Sequence, residues 1–297
     1  MEFKHLQSFV SVVQYNSFTI AAEKLFISQP SISSHIRQIE DELNTRLILR
    51  STKSIELTPK GQELFTYATR ILELRDRMIE DCSVESQKII HLGASTIPSS
   101  YILPEILAAF GKRHPDIYFV IHQNDSSGIV KDLLDGIFNI GLIGMKTEDP
   151  NLSCIPFCKD HMIIITPVNE HFLKLKEQNI FPREELLNSP FILREKGSGS
   201  KKSMDNFLES IGIDESVLHV TARVNDQETI KNLVAGGLGI SIISARSAKN
   251  FIEEKRLLSF ELPEYSTKRN LYIAYPSTFM MRSYVREFVD FVLKYYK

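Results

Sequence analysis

The chain has 297 residues, 43% of them hydrophobic and 24% charged, with a formal net charge of −2. That apolar content offsets chain entropy and excludes a disordered or low-complexity protein, and the length points to about two domains. No apolar run approaches the ~18 residues that span a bilayer, and the near-neutral total excludes a globally polybasic nucleic-acid binder, so any duplex contact must come from a local patch.

The first residues lack an apolar h-region and a small-residue cleavage site, so no signal peptide is expected. Three cysteines, an odd and sparse count, suit reduced thiols in a cytoplasm. Leu6, Phe9, Val10 and Val13 recur at helical spacing. Thr19 is the expected N-cap of a second helix carrying Ala21, Ala22, Leu25 and Phe26. Ser28 caps a third, with Pro30 in the first turn, where a missing N–H costs nothing. Ile32, Ile36, Ile39 and Leu43 form its apolar stripe, and Asn44 is a tolerable left-handed cap. Helix, tight turn, helix is the helix-turn-helix pattern. The polar face of the third helix holds Gln29, Ser31, Ser33, Ser34, His35, Arg37 and Gln38, short donors and amides that suit base edges and phosphates. Two β-prone runs over 46–58 resemble a wing. Arg46, Arg50, Lys53 and Lys60 face a single acid, Glu56, which makes a local positive patch.

Thr58-Pro59 starts a helix expected to run to about 86. Leu64, Tyr67, Ile71, Leu74 and Met78 alternate by 3 and 4, a heptad seam that wants a partner helix; a self-paired helix would supply two-fold symmetry for DNA. From 88 onward strands and helices alternate. Helices are expected at 98–114 and 127–134 and strands at 153–157 and 162–166, which argues for an α/β domain with mainly parallel sheets, split into two lobes around a cleft.

Residues 6–61, LQSFVSVVQYNSFTIAAEKLFISQPSISSHIRQIEDELNTRLILRSTKSIELTPKG, resemble the DNA-binding module of LysR-type transcriptional regulators. GASTIPSSYILPEILAAFGKRHPDI (93–117) and LVAGGLGISII (233–243) resemble the effector domain of the same family. The resemblance implies an α+β and α/β multidomain chain. Residues 1–58 would be a winged helix-turn-helix, 59–87 a linker and dimerisation helix with a hinge, and 88–297 an effector domain. That domain would be two-lobed, Rossmann-like and similar to periplasmic binding proteins, with lobe I at about 88–163 and 268–297 and lobe II at about 164–267. It also implies promoter DNA as partner, a homodimer through the linker helix within a homotetramer, RNA polymerase as a further partner, a small-molecule effector in the inter-lobe cleft, and no cofactor, catalysis or membrane contact. Gln29, Pro30, Ser33 and Ser34 fall where the family reads the major groove; Arg37 would reach groove edge or phosphate, and Arg50, Thr52 and Lys53 lie in the wing. Ser34 stands where a basic residue is common, Asn44 where Gly is usual, Ile48 where Phe is usual, and Asn139 where Asp is frequent.

Ser95-Thr96, after a strand and before a helix, places hydroxyls and backbone N–H groups where an anion binds, although Ser and Thr cap helices everywhere. Ser126 stands at a second such turn and Gly197-Ser198-Gly199-Ser200 at a third, which lacks the ending of a P-loop. Asn225 and Gln227 could close the cleft with amides, and Arg194 is a candidate counter-charge. Converging hydroxyl-bearing turns favour a small anion, a carboxylate or an inorganic oxyanion. The run STIPSSYILP is similar to those of members tied to sulfur or selenium metabolism. Cys154, Cys158 and His161 fall within eight residues, but a zinc site would want a fourth ligand, so the cysteines read as buried hydrophobes. The alternatives are a redox-responsive regulator using Cys154 and Cys158, and a non-regulatory solute-binding protein, which would have no use for a helix-turn-helix. No triad order, metal motif or dinucleotide fingerprint marks an enzyme.

Overall fold

In the computed structural model, which describes residues 1–50, 55–82, 88–262, 268–278 and 281–296, the chain divides into two units, Met1–Ser86 and Gln87–Lys297. In the first, α1 (Phe3–Tyr15) ends at Asn16, whose φ of 48° is left-handed. The chain leaves that turn extended at Ser17, so the hydroxyl of Ser17, and not that of Thr19, caps α2 (Phe18–Lys24) by accepting from Ile20 N. Ser28 caps α3 (Gln29–Glu42) as its position predicts. Ile32, Ile36 and Ile39 are buried against Leu6, Phe9 and Val10. Leu43 is not part of that stripe; it is the C-cap residue and is exposed.

Glu40 is the buried polar member of α3. Its Oε1 accepts from the backbone N–H of Leu47 at 2.8 Å and of Ile48 at 3.4 Å, and its Oε2 pairs with Arg46 Nη1 at 2.9 Å. The carboxylate therefore hangs the antiparallel pair β1 (Ile48–Arg50) and β2 (Ile55–Leu57) from α3. Helix α4 (Pro59–Cys82) then packs so closely that a Cβ on Gly61 would lie 2.1 Å from Leu47 O. Ala68 is fully buried, whereas Tyr67, Ile71, Leu74 and Met78 are 57%, 41%, 52% and 57% exposed in the single chain. The heptad seam is thus an apolar stripe that its own unit does not cover.

The second unit is built in chain order from β3 (Lys88–Ser95), α5 (Thr96–Tyr101), α6 (Leu103–Gly111), β4 (Ile117–Asn124), α7 (Ser126–Leu134), β5 (Ile140–Ile143), β6 (Leu152–Thr166), α8 (Glu170–Glu177), α9 (Arg183–Asn188), β7 (Phe191–Arg194), α10 (Gly199–Ser210), β8 (Val220–Val224), α11 (Gln227–Ala235), β9 (Ser241–Ser244), α12 (Ala245–Glu253), β10 (Leu258–Glu261), β11 (Lys268–Pro276) and α13 (Ser283–Tyr295). The helix expected over 98–114 is two helices, because Pro104 has no N–H to continue the ladder across Ile102.

The expectation of mainly parallel sheets is corrected. Parallel pairing joins β3 to β4 and β5, and β7 to β8, but β11 runs antiparallel to β5 and β6, and β6 antiparallel to β9 and β10. The cause is a single long strand. The runs expected at 153–157 and 162–166 are one strand of 15 residues; its first part pairs with β11, and its last residues pair with β9 and β10. It passes from one lobe to the other, whereas β11, among the described residues, pairs only with β5 and the first part of β6. The first lobe packs Leu92, Phe110 and Phe288 in one cluster, and the second packs Phe191, Leu193 and Phe207 in another. At the lobe boundary, near the start of β11, Asp160 lies opposite Arg269. The Asp160 side chain is fully buried; its Oδ2 takes Arg269 Nε at 2.9 Å and Nη2 at 2.8 Å, and its Oδ1 accepts from Ser244 Oγ at 2.8 Å.

Candidate functional site

On the first unit, Gln29, Pro30, Ser34 and Arg37 are exposed along α3, and Ser33 is half-buried beside them. Gln29 Nε2 donates to Ser33 Oγ at 3.1 Å, and Gln38 Nε2 to Ser34 Oγ at 3.3 Å. Side chains here already form a row of amides and hydroxyls. His35 is not part of it. Its Nδ1 bonds Ser8 Oγ at 2.7 Å and its ring centre lies 4.9 Å from that of His5, so it faces α1. Burial, and then the charges of His5 and Lys4, hold its pKa below the usual histidine value. Arg46, counted in the positive patch from sequence, is partly neutralised by Glu40. Thr52, Lys53 and the side chain of Arg50 lie outside the described residues.

On the second unit, three strand-to-helix turns converge on a narrow cleft lined by Ser95, Thr96, Asp125, Ser126, Gly144, Arg194, Ser198, Gly199, Ser200 and Arg269, among others. Ser95 occupies the cap position of α5, yet its side chain makes no capping bond. The bland reading of that hydroxyl is therefore unsupported. Ser198 is the reverse case: its Oγ accepts from Lys201 N as the cap of α10. Ser126 Oγ accepts from Gly144 N at 3.1 Å and keeps its own proton to donate. The lobes meet at the cleft: a Cβ on Gly199 would lie 2.7 Å from Gly144 O, and Ser127 Oγ donates to the carbonyl of Gly197, whose φ is +92°. Asp125 lines the cleft as an acid, but its Oδ1 is taken up by Gly128 N.

Arg194 carries the site's electrostatics. Its side chain is 3% exposed. Nε and Nη2 clasp Glu195 at 2.8 and 2.7 Å, and Nη2 also reaches Thr96 Oγ1 across the cleft at 3.4 Å. Its Nη1 is buried with no partner. A buried guanidinium nitrogen left unpaired is costly, and one that lines a cleft is poised for an anion. Arg269, from the start of β11, adds a second guanidinium that reaches Ser200 Oγ at 3.4 Å. Sequence reasoning raised Arg194 only as a counter-charge and missed Arg269, because nothing local marks a strand residue as buried.

Ser198 lines the cleft and Gly197 a recess beside it, but Asn225 and Gln227 line neither. Asn225 is exposed, and Gln227 is buried with its Oε1 accepting from Ser247 Oγ. Beside Gln227, Lys231 is fully buried; its Nζ bonds Glu228 Oε1 at 2.6 Å and Asn250 Oδ1 at 3.2 Å and stands over the Phe251 ring. Tyr101 Oη donates to the same Glu228 oxygen at 2.8 Å, a second tie between lobes, and burial with that bond pushes the Tyr101 pKa up.

The cysteines do not form a sensing pair in this geometry. Cys154 and Cys158 sit four residues apart on β6, about 13 Å of strand rise and beyond disulfide reach. Burial pushes both thiols up, toward the unreactive protonated form. Among the described residues no cluster of His, Cys, Asp and Glu could hold a metal ion, and no helix is long and apolar enough to cross a membrane.

A winged helix-turn-helix followed by a two-lobed unit with a polar cleft defines the class of DNA-binding transcriptional regulators. Residues 3–62 match the bacterial regulatory helix-turn-helix protein, lysR family, and residues 84–297 match the LysR substrate binding domain. The chain belongs to the LysR family of transcriptional regulators. It is 32% identical to the probable RuBisCO transcriptional regulator of Cyanidioschyzon merolae, over 90% of this chain and 89% of that one. It is 30% identical to the HTH-type transcriptional regulator CysL of Bacillus subtilis, over 91% and 90%. The crystal structure of CbnR, a LysR family transcriptional regulator, has the same fold, with a TM-score of 0.76 over the full length of both chains at 20% identity.

Proposed function

We propose that this regulator binds a small anionic effector in the cleft between its lobes, and that the effector biases lobe closure and so the arrangement of subunits on promoter DNA. The carrying observation is Arg194: a buried guanidinium whose Nη1 has no partner, lining a cleft with the uncommitted hydroxyl of Ser95 and with Thr96. Carboxylates and inorganic oxyanions fit that donor set. The run from Ser95 to Pro104 resembles those of members tied to sulfur or selenium metabolism, which makes sulfate a natural probe among the oxyanions. In Arg194→Met, titration calorimetry with sulfate and small carboxylates is expected to show a ten- to hundredfold loss of affinity, the value of about 1.5–3 kcal/mol for a hydrogen bond to a charged group. Unchanged affinity would remove the cleft from consideration.

For DNA, Gln29 is the base-reading side chain and the α4 stripe is the dimer seam, the latter checked by sedimentation of the full chain. Gln29→Ala should cost roughly 1–3 kcal/mol and relax one base position. A footprint and affinity identical to the parent's would place the reading register elsewhere on α3.

A further inference from the structure

We infer that the effector carries two anionic groups joined by a short carbon spacer, the inner one at Arg194 and Thr96 and the outer one between Lys196 and Lys202. This rests on the cleft reading above and narrows its ligand class. Outside the inner cleft lies a wider recess. Ser198 lines both, so the two adjoin. Met145 and Ser127 form the wall from one lobe, and Lys196 and Lys202 stand on the other.

The lysines have no structural reason to be where they are. Both are exposed, and among the described residues neither has an ion-pair partner. Lys201, between them in sequence, is different: it is buried and tied to Asp205 and Glu215. Asp205, the acid of the recess, is therefore already occupied. Lys202 also lies in the first turn of α10, which holds no acidic residue. The macrodipole disfavours a cation at that end, so Lys202 adds to a positive potential that α10 itself creates. An unpaired cation pair facing an open recess, beside a cleft lined by an arginine with one unpaired nitrogen, fits a second anion. The Met145 thioether gives the recess an apolar side, which suits carbon between the two charges and not a second inorganic ion.

Matched probes test this on the full chain: butyrate against succinate, valerate against glutarate, and propylphosphonate against 3-phosphonopropionate, with sulfate as the one-centre reference. At least one two-centre probe is expected to bind about tenfold or more tightly than its one-centre match. The double variant Lys196→Gln/Lys202→Gln is expected to lose that excess while its sulfate affinity stays within about twofold of the parent's. If the double variant keeps the preference, or the parent shows none for any pair, the two-anion inference is overturned and the inner site stands. If instead Arg194→Met binds sulfate and the two-centre probes as tightly as the parent, the cleft reading fails and this inference with it.

Discussion

Asp160→Ala is expected to lower the melting temperature of the regulatory unit by about 6–20 °C. The substitution leaves the Arg269 guanidinium, itself almost wholly buried, without its carboxylate, and leaves Ser244 without its acceptor. Breaking a buried pair from one side costs about 3–5 kcal/mol, a large share of the 5–15 kcal/mol that typical domains possess. For a unit of this size each kcal/mol moves the midpoint by about 2–4 °C. Asp160→Asn keeps an acceptor for Ser244 and should fall between. Scanning calorimetry that places Asp160→Ala within 2–3 °C of the parent would mean that water reaches Arg269 at the lobe boundary.

Glu40→Ala is expected to abolish specific DNA binding and to destabilise the first unit by about 2–6 kcal/mol. Two buried backbone N–H groups, of Leu47 and Ile48, lose their acceptor together, and each such orphan costs about 1–3 kcal/mol. The loss of Arg46's partner adds little, because that side chain is mostly exposed. Glu40→Gln retains one acceptor oxygen and should be intermediate. Gel shifts at a temperature where calorimetry shows the variant folded separate a displaced wing from global unfolding. Full operator affinity in folded Glu40→Ala would show that the wing needs no such anchor.

The reading unit was the more legible half of the chain. Its helices declare themselves by the spacing of Ile32, Ile36 and Ile39 and by the Ser28 cap with Pro30 behind it, all local signals. Asn44 takes up the left-handed conformation expected of it, with φ of 47°. What failed there failed for tertiary reasons: Glu40 and His35 look like surface residues until the wing and α1 are packed against them. In the regulatory unit the turns at Ser95, Ser126 and Gly197 could be read as cleft elements because hydroxyls and glycines at strand ends are visible in sequence. Arg269 and the span Cys158–His161 could not. Four polar or sulfur-bearing residues in a row look like a loop, and only pairing with β11 reveals that they continue a strand. Lys231, an ordinary helix lysine by sequence, is buried because Phe251, Asn250 and Tyr101 close around it.

The long strand β6, whose register against β11 shifts once at Phe157, also fixes which lengths the chain can change. Its register is set twice, by β11 in the first lobe and by β9 and β10 in the second. Adding or removing one residue between Cys158 and His161 would turn every following side chain to the opposite face, exchanging Ile164 with Ile163 and Ile165 between the two clusters and shifting the pairing with β9 and β10 by one residue. The segment joining β5 to β6, residues 144–151, carries no such double constraint and can vary in length. Insertions should therefore accumulate beside β6 and never within it, leaving the separation between the lobes fixed while the loops around the cleft diversify.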